Sequence, residues 1–125
     1  MIQFKDLIGK TLTEIRGEKG SEEMVFTCQD GNKFRLVHHQ DCCENVAIED
    51  ICGELHDLIG VPILQAEEST SGDNPPGVRP PESAEESFTW TFYRISTIKG
   101  QVVIRWYGAS NGYYSESVDF EKINP

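Results

Sequence analysis

The stretch FTWTFYRISTIKGQVVIRWY, residues 88–107, predicts the fold more directly than any other part of the chain. Aromatic and β-branched residues alternate with other residues on both sides of Lys99 and Gly100, which is typical of two antiparallel strands joined by a tight turn. One face is apolar enough to pack on a core. That face carries Tyr93, Ile95, Val102, Ile104 and Trp106. We therefore expect an antiparallel sheet with this side buried.

The other face of the hairpin combines arginines with aromatic rings. It carries Trp90, Phe92, Arg94, Arg105 and Tyr107. A two-residue turn at Lys99 and Gly100 would place Arg94 directly opposite Arg105, and because like charges repel, such a pair requires an anion. Guanidinium groups stack on rings and bind phosphate or carboxylate through two hydrogen bonds. The face is typical of a site that stacks a base and binds a phosphate, unless each arginine bonds an acid of its own.

The same order of segments occurs twice in the chain, and the hairpin belongs to the second copy. The tetrapeptide DLIG occurs at residues 6–9 and 57–60, each time followed by a strand-like run, a hairpin and a closing run, VAIEDI at 46–51 or VDFEKI at 118–123. This predicts an internal duplication that shares one core. The fold class is α+β: mostly antiparallel sheet, curved or partly barrel-like, with two short helices at FKDLIG and ICGELHDLIG. Apolar residues at helical spacing should face the sheet, namely Ile51, Leu55, Leu58 and Ile59.

Length and charge limit the function. A chain of 125 residues predicts one domain, 1–125, in which residues 65–87 form a flexible, acidic, proline-rich loop. The net charge of −10 argues against direct binding of nucleic acid, because a polyanion is bound by Lys and Arg. Neither a membrane-spanning run nor a signal peptide is evident, so we expect a cytoplasmic protein without membrane contact.

The stretch LVHHQDCCENVAIEDI, residues 36–51, is rich in groups that could bind a metal or act in catalysis. Candidate zinc ligands are His38, His39, Cys42, Cys43, Cys52 and His56. Adjacent cysteines and adjacent histidines point poorly at one ion, so we expect no metal and no cofactor. We also expect reduced thiols. A Cys–His nucleophile pair has little support, and the stretch is interpreted first as a connection between strands.

Several motifs resemble those of a family of small acidic proteins encoded by bacteriophages and prophages. They are DCCE, IEDI, DLIG and NGYYSESVDF, and the resemblance covers nearly the whole chain outside the loop. It implies a viral origin and the host cytoplasm, but it supplies no catalytic residue. The Thoeris anti-defence proteins, which sequester cyclic ADP-ribose signals in an oligomer, are an analogy for function alone; by that analogy we expect a homo-oligomer.

We therefore expect a phage-encoded counter-defence protein that sequesters a small phosphorylated, nucleotide-derived ligand without turnover. The expected ligand-binding residues are Trp90, Phe92, Arg94, Arg105, Tyr107, Asn111, Tyr113, Tyr114, His38 and Asp41. The alternative is an inhibitor that binds a host defence protein through an acidic surface, of the anti-CRISPR or DNA-mimic type. A phosphodiesterase that uses His38, His39 and Asp41 is a third possibility, which no compact catalytic motif supports.

Overall fold

A computed structural model describes residues 2–40, 43–72, 87–110 and 115–123. Within these ranges the chain forms strands β1 (Leu12–Arg16), β2 (Glu23–Cys28), β3 (Lys33–Val37), β4 (Asn45–Cys52), β5 (Gln65–Ser71), β6 (Ser87–Thr97), β7 (Gly100–Ser110) and β8 (Asp119–Ile123). The strands form two four-stranded antiparallel sheets, ordered β1-β2-β3-β8 and β4-β7-β6-β5. The mostly antiparallel fold is confirmed, but the two sheets do not close into a barrel.

The two predicted helices are wrong in type and length. Each is a single turn of 3-10 helix, Phe4–Leu7 in the first half and Leu55–Leu58 in the second. Both turns run into DLIG, whose glycines take φ angles of 89° and 87°. This backbone region is favourable only for glycine, so each helix ends after one turn.

The two halves of the chain exchange their closing strands. β4 ends the first half but lies beside β7, whereas β8 ends the second half but lies beside β3. The halves also meet through reciprocal hydrogen bonds: the Gly9 amide donates to the Ile63 carbonyl over 2.8 Å, and the Gly60 amide donates to the Leu12 carbonyl over 2.9 Å. Gly9 and Gly60 are the DLIG glycines, so one bond becomes the other when the halves are interchanged. A duplication predicts this symmetry.

The core lies between the two sheets. The predicted core face of the long hairpin is confirmed, since its five residues are fully buried: Tyr93, Ile95, Val102, Ile104 and Trp106. The first 3-10 turn joins this core through Phe4, whose ring lies 4.8 Å from that of Tyr93 and 5.5 Å from that of Phe120. Burial of these apolar side chains is the main favourable contribution to folding.

The second 3-10 turn contributes less to the core than helical spacing predicts. Leu58 is buried, Leu55 and Ile51 are half-buried against the core, and Ile51 belongs to β4 rather than to a helix.

Within the described residues, one buried side-chain polar atom, the indole Nε1 of Trp106, has no hydrogen-bond partner.

The turn of the long hairpin lies one residue earlier than predicted. Thr97 pairs with Gly100, which places Ile98 and Lys99 in the turn. The Thr97 hydroxyl explains this position, because it donates to the Asp57 carbonyl and accepts a hydrogen bond from the Lys99 amide over 3.1 Å. The register therefore differs by two residues from the predicted one.

A second correction concerns the segment that was assigned to a flexible loop, residues 65–87. Its first part, Gln65–Ser71, forms β5 and pairs with β6 along its whole length, and Ser87 begins β6. Residues 73–86 lie outside the described ranges.

The described part of the chain holds no helix with the length and hydropathy that a membrane crossing requires.

Candidate functional site

The ring-and-arginine residues predicted from the hairpin do share one face, the outer face of the sheet β4-β7-β6-β5. In the observed register Trp90 lies opposite Tyr107 and Phe92 lies opposite Arg105, while Arg94 lies opposite Val103. The rings of Trp90 and Tyr107 are 4.7 Å apart, and Trp90 is completely buried beneath its neighbours. The predicted facing pair of Arg94 and Arg105 is therefore wrong, although the residues are brought to one surface.

Arg105 is already neutralised by two carboxylates. A β-bulge between Ile48 and Asp50 inserts Glu49 into the edge strand β4, so that two acids meet one guanidinium group. The Arg105 Nε donates to Glu49 and its Nη2 to Asp50 over 3.4 Å. Burial alone lowers the pKa of Arg105, but hydrogen bonding and charge from Glu49 and Asp50 outweigh it and raise that pKa. The alternative stated for the arginines is observed here.

Arg94 differs from Arg105 in both exposure and partners. Its side chain is exposed, its Nη1 lies 3.4 Å from the Ser69 hydroxyl, and its guanidinium carbon lies 5.9 Å from the centre of the Phe92 ring. None of the ion pairs among the described residues includes Arg94. One exposed cation remains on this face, rather than a clamp of two.

The other predicted binding residues do not join this face within the described ranges. His38 is buried in the connection that follows β3, where its Nδ1 donates to the Ser117 carbonyl over 2.7 Å and its Nε2 lies 2.9 Å from a Glu44 oxygen. With both ring nitrogens bonded, His38 joins two connecting segments and is not open to a ligand. The remaining predicted residues lie outside the described ranges: Asp41, Asn111, Tyr113 and Tyr114.

The cysteines and histidines do not assemble as a zinc site would require. Cys43 is disulfide-bonded, so the expectation of reduced thiols is wrong for it and holds for Cys28 and Cys52; Cys42 lies outside the described residues. His39 instead lies near Asp119 and Glu121, with potential ligand atoms within 4.8 Å of one another.

In the group formed by His39, Asp119 and Glu121, the Glu121 carboxylate already pairs with a cation of the protein, Arg35. The Arg35 Nε donates to a Glu121 oxygen over 2.9 Å, and the His39 Nε2 lies 2.7 Å from the other. Hydrogen bonds from His39 and Arg35 outweigh burial and hold the pKa of Glu121 below its ordinary value. An added metal ion would compete with this guanidinium group for the same carboxylate.

A concavity lies where the edges of β5 and β8 approach each other, and we call it the seam cleft. Its volume is about 740 Å³. It is lined by residues 2–5 of the amino-terminal segment, Ala66, Glu67, Glu68, Val118, Asp119, Phe120 and Glu121. Sequence reasoning missed it, because residues 67 and 68 were assigned to a loop and the two edges are distant in sequence.

The seam cleft has an acidic rim and an apolar floor. Glu67, Glu68 and Asp119 are exposed, and no ion pair among the described residues includes them. Phe4 and Phe120 pack below them. Glu68 also interacts with the Tyr93 hydroxyl through a side-chain hydrogen bond. The arrangement places carboxylates without a cationic partner in the described residues beside aromatic surface, which suits a ligand with cationic and apolar groups.

A smaller polar compartment of about 330 Å³ continues the cleft, with Glu68 and Val118 lining both. Glu116 lies in it and accepts hydrogen bonds from the hydroxyls of Thr89 and Ser110. Burial alone raises the pKa of Glu116, but hydrogen bonds from Ser110, Ser87 and Thr89 outweigh it and lower that pKa. Glu116 is thus a weak base whose oxygens are already engaged.

Comparison with known proteins supplies a family. Residues 5–120 match the family described as Domain of unknown function (DUF7448). Neither a curated protein nor a solved structure matches the chain.

The first prediction from this geometry concerns the arginines of the outer face. We expect Arg105→Gln to lower the free energy of unfolding by about 1 to 3 kcal/mol, because the half-buried Glu49 loses its cation and Asp50 keeps only the longer ion pair with Lys19, at 3.8 Å, among the described residues. Arg94→Gln, the matched control on the same face, should change it by less than about 0.5 kcal/mol. Urea unfolding measures both. An Arg105→Gln variant as stable as the wild type would contradict a stabilising role for the ion pairs of Arg105 with Glu49 and Asp50.

The second prediction concerns Glu116 and pH. Because its pKa in the folded state lies below the ordinary value of 4.5, the ionised carboxylate stabilises the fold above that pH and loses its effect as the pH falls through the folded pKa. Glu116→Gln should therefore be less stable than the wild type at neutral pH, and the difference should shrink below about pH 4.5.

Urea unfolding at a series of pH values measures this difference. The control is Glu22→Gln, an exposed acid in the connection between β1 and β2, which should follow the wild-type curve. A gap between Glu116→Gln and the wild type that does not change with pH would contradict the role of the carboxylate charge.

Proposed function

Because the chain belongs to this family of unknown function, we propose its function from the seam cleft: the protein binds, without chemical turnover, a positively charged segment of another protein. The observation that carries the proposal is the set of carboxylates at the rim of this cleft, Glu67, Glu68 and Asp119, none of which forms an ion pair in the described residues. A large concavity with a few convergent polar groups is the usual location of a binding site.

Charge supports a cationic partner. Lys5 is the one cationic side chain that lines the seam cleft in the described residues, against four acids. The protein as a whole carries a net charge of −10. A field of one sign attracts ligands of the opposite sign and accelerates their association.

The described lining favours binding over catalysis. It contains no histidine and no cysteine, and the neighbouring Glu116 has a lowered pKa and bonded oxygens. General acid or base catalysis needs a group whose pKa lies near the working pH. A binding function without turnover needs no such group.

The resemblance to small acidic bacteriophage proteins indicates the cellular setting of the proposed binding. The partner would be a host protein in the cytoplasm, and the chain would act as a counter-defence inhibitor. This is the second of the functions expected from sequence, binding to a host defence protein through an acidic surface. Under this proposal, the charges that bind the host protein are the carboxylates at the rim between β5 and β8.

A second candidate function rests on Arg94, an exposed guanidinium group beside the Phe92 ring. Arg94 forms no ion pair in the described residues, although Glu67 lies opposite it on β5. Together with Tyr107, it could bind a small phosphorylated ligand, as the sequence suggested. Neutralisation of Arg105 by Glu49 and Asp50 counts against this function.

The third prediction tests the two functions together. Fluorescence anisotropy would be measured with two pools of random peptides as long as β5, which has seven residues, one pool rich in lysine and the other in glutamate. We expect the lysine pool alone to bind, and binding to weaken as the ionic strength rises from about 0.05 M to about 0.3 M because salt screens the rim charges. Cyclic nucleotides and ADP-ribose derivatives would be added as competitors.

The double variant Glu67→Gln with Glu68→Gln should weaken binding of the lysine pool about threefold to tenfold. Its control is Glu22→Gln with Glu54→Gln, which removes the same charge from exposed positions outside the cleft and should leave binding unchanged. Equal binding of both pools would contradict the proposal. Nucleotide binding that Arg94→Gln abolishes, without peptide binding, would establish the second candidate instead.

A further inference from the structure

The large apolar side chains that the described residues expose lie together at one end of the molecule. They are Ile8, Leu64 and Ile98, which are 50%, 58% and 82% exposed. Single exposed apolar residues are common on protein surfaces, but a contiguous group of them indicates contact with another surface. We call these three residues, together with the exposed Pro62, the apolar end.

Backbone hydrogen bonds make Ile8 and Leu64 neighbours, although they are distant in sequence. The Gly9 amide donates to the Ile63 carbonyl over 2.8 Å, and the Ile63 amide donates to the Lys10 carbonyl over 2.9 Å. Ile8 directly precedes the first of these bonded residues, and Leu64 directly follows Ile63. The two side chains therefore belong to segments that are bonded side by side.

Ile98 joins this group through the turn of the long hairpin. The Leu64 amide donates to the Ser96 carbonyl over 2.8 Å, and the Lys99 Nζ donates to the Ile59 carbonyl over 2.9 Å. The turn is thus bonded on both sides of Ile98 to the segment that carries Leu64. Its position relative to this segment is fixed by the backbone.

The segments that form the apolar end are described without a break. They are residues 2–12, 56–65 and 96–101. The internal breaks between the described ranges adjoin the opposite end of the sheet β4-β7-β6-β5, where the nearest strand residues are Asn45, Ser71, Ser87 and Ser110. The apolar end therefore lies away from these breaks.

We propose that the apolar end is the interface of a twofold-symmetric dimer of this chain, in which Ile98 of each protomer packs on Ile8 and Leu64 of the other. A twofold dimer is the commonest assembly of identical chains, and its interface is complementary to itself. The inference is independent of the proposed function, because no residue of the apolar end lines the seam cleft.

Charge complementarity favours a second copy as the occupant. Asp6 lies two residues before Ile8, Lys99 directly follows Ile98, and both charged side chains are exposed. Neither belongs to an ion pair among the described residues. When Ile98 of one protomer lies on Ile8 of the other, Lys99 comes close to Asp6 of the partner subunit, and symmetry makes this contact twice.

The charge of the whole chain also directs self-association to this end. With 21 acidic and 11 basic residues, two copies repel each other through most of their surfaces. The segments of the apolar end carry charges of both signs, namely Lys5, Asp6, Lys10, Asp57 and Lys99. A membrane is a less favourable occupant, because its anionic lipids repel a chain whose net charge is −10.

The fourth prediction is a monomer–dimer equilibrium that depends on Ile98. A stable interface buries about 20 to 30 residues on each side. The apolar end is smaller, so we expect a dissociation constant between about 10 µM and about 500 µM. Sedimentation equilibrium of the whole chain from about 5 µM to about 1 mM measures it.

Ile98→Glu should raise this dissociation constant about tenfold or more, because each protomer would bury a carboxylate without a partner. Since Ile98 lies exposed in a turn, the variant should keep the thermal midpoint of the wild type. The matched control is Thr70→Glu, which adds the same charge at an exposed position of β5 outside the apolar end. It should change the dissociation constant by less than about twofold.

A mixture of two variants tests which residues meet. Ile8→Lys alone should weaken the dimer as Ile98→Glu does. In an equimolar mixture of the two variants, the introduced ammonium and carboxylate groups face each other at one contact, and the other contact keeps both isoleucines. The mixed dimer should therefore form at least about threefold more tightly than either variant alone.

Three outcomes would overturn the dimer. They are a monomer at every concentration, dimerisation that Ile98→Glu leaves unchanged, and a mixture that associates no better than its components. A monomer that sediments with vesicles of phosphatidylcholine and phosphatidylglycerol, and loses this binding in Ile98→Glu, would also overturn it and assign the apolar end to a membrane. None of these outcomes affects the proposed binding at the seam cleft, which is measured separately with peptides.

Discussion

The exchange of closing strands between the two halves is the constraint on which the rest of the structure depends. Each sheet is completed by a strand from the other half, so neither half can bury its apolar face alone. The reciprocal bonds of Gly9 with Ile63 and of Gly60 with Leu12 hold the halves in this relation. The exchange also brings the edges of β5 and β8 together, which creates the cleft. Fold and candidate site thus have one origin.

The sequence predicted the parts of the fold that depend on alternation and repetition. The buried face of the long hairpin could be predicted because side chains alternate strictly along a strand. The repeated order of segments could be predicted because the tetrapeptide DLIG occurs twice. The turn position was not, since it depends on the Thr97 hydroxyl reaching the Asp57 carbonyl, forty residues away. The helices failed for a local reason: helical spacing at Leu55 and Leu58 does not outweigh a glycine that ends the turn.

The candidate site was less predictable than the fold because it depends on which edges meet. Glu67 and Asp119 belong to segments that are distant in sequence, and the composition around residue 67 indicated a loop although it forms β5. For the arginines, the prediction failed in a different way. Their face was correctly identified, but the bulge at Glu49, which neutralises Arg105, is a feature of register that alternation does not reveal.

Charge distinguishes the edges of the described strands. The outer side of β4 is bonded within the chain, because Gly20 and Ser21 pair with Ile48. The described edges of β5 and β8 carry Glu67, Glu68 and Asp119, whose charge repels other acidic surfaces. Under the proposed function, an edge of this kind favours a cationic partner over an acidic one. Such an edge discriminates between partners by their charge before any side chain is recognised in detail.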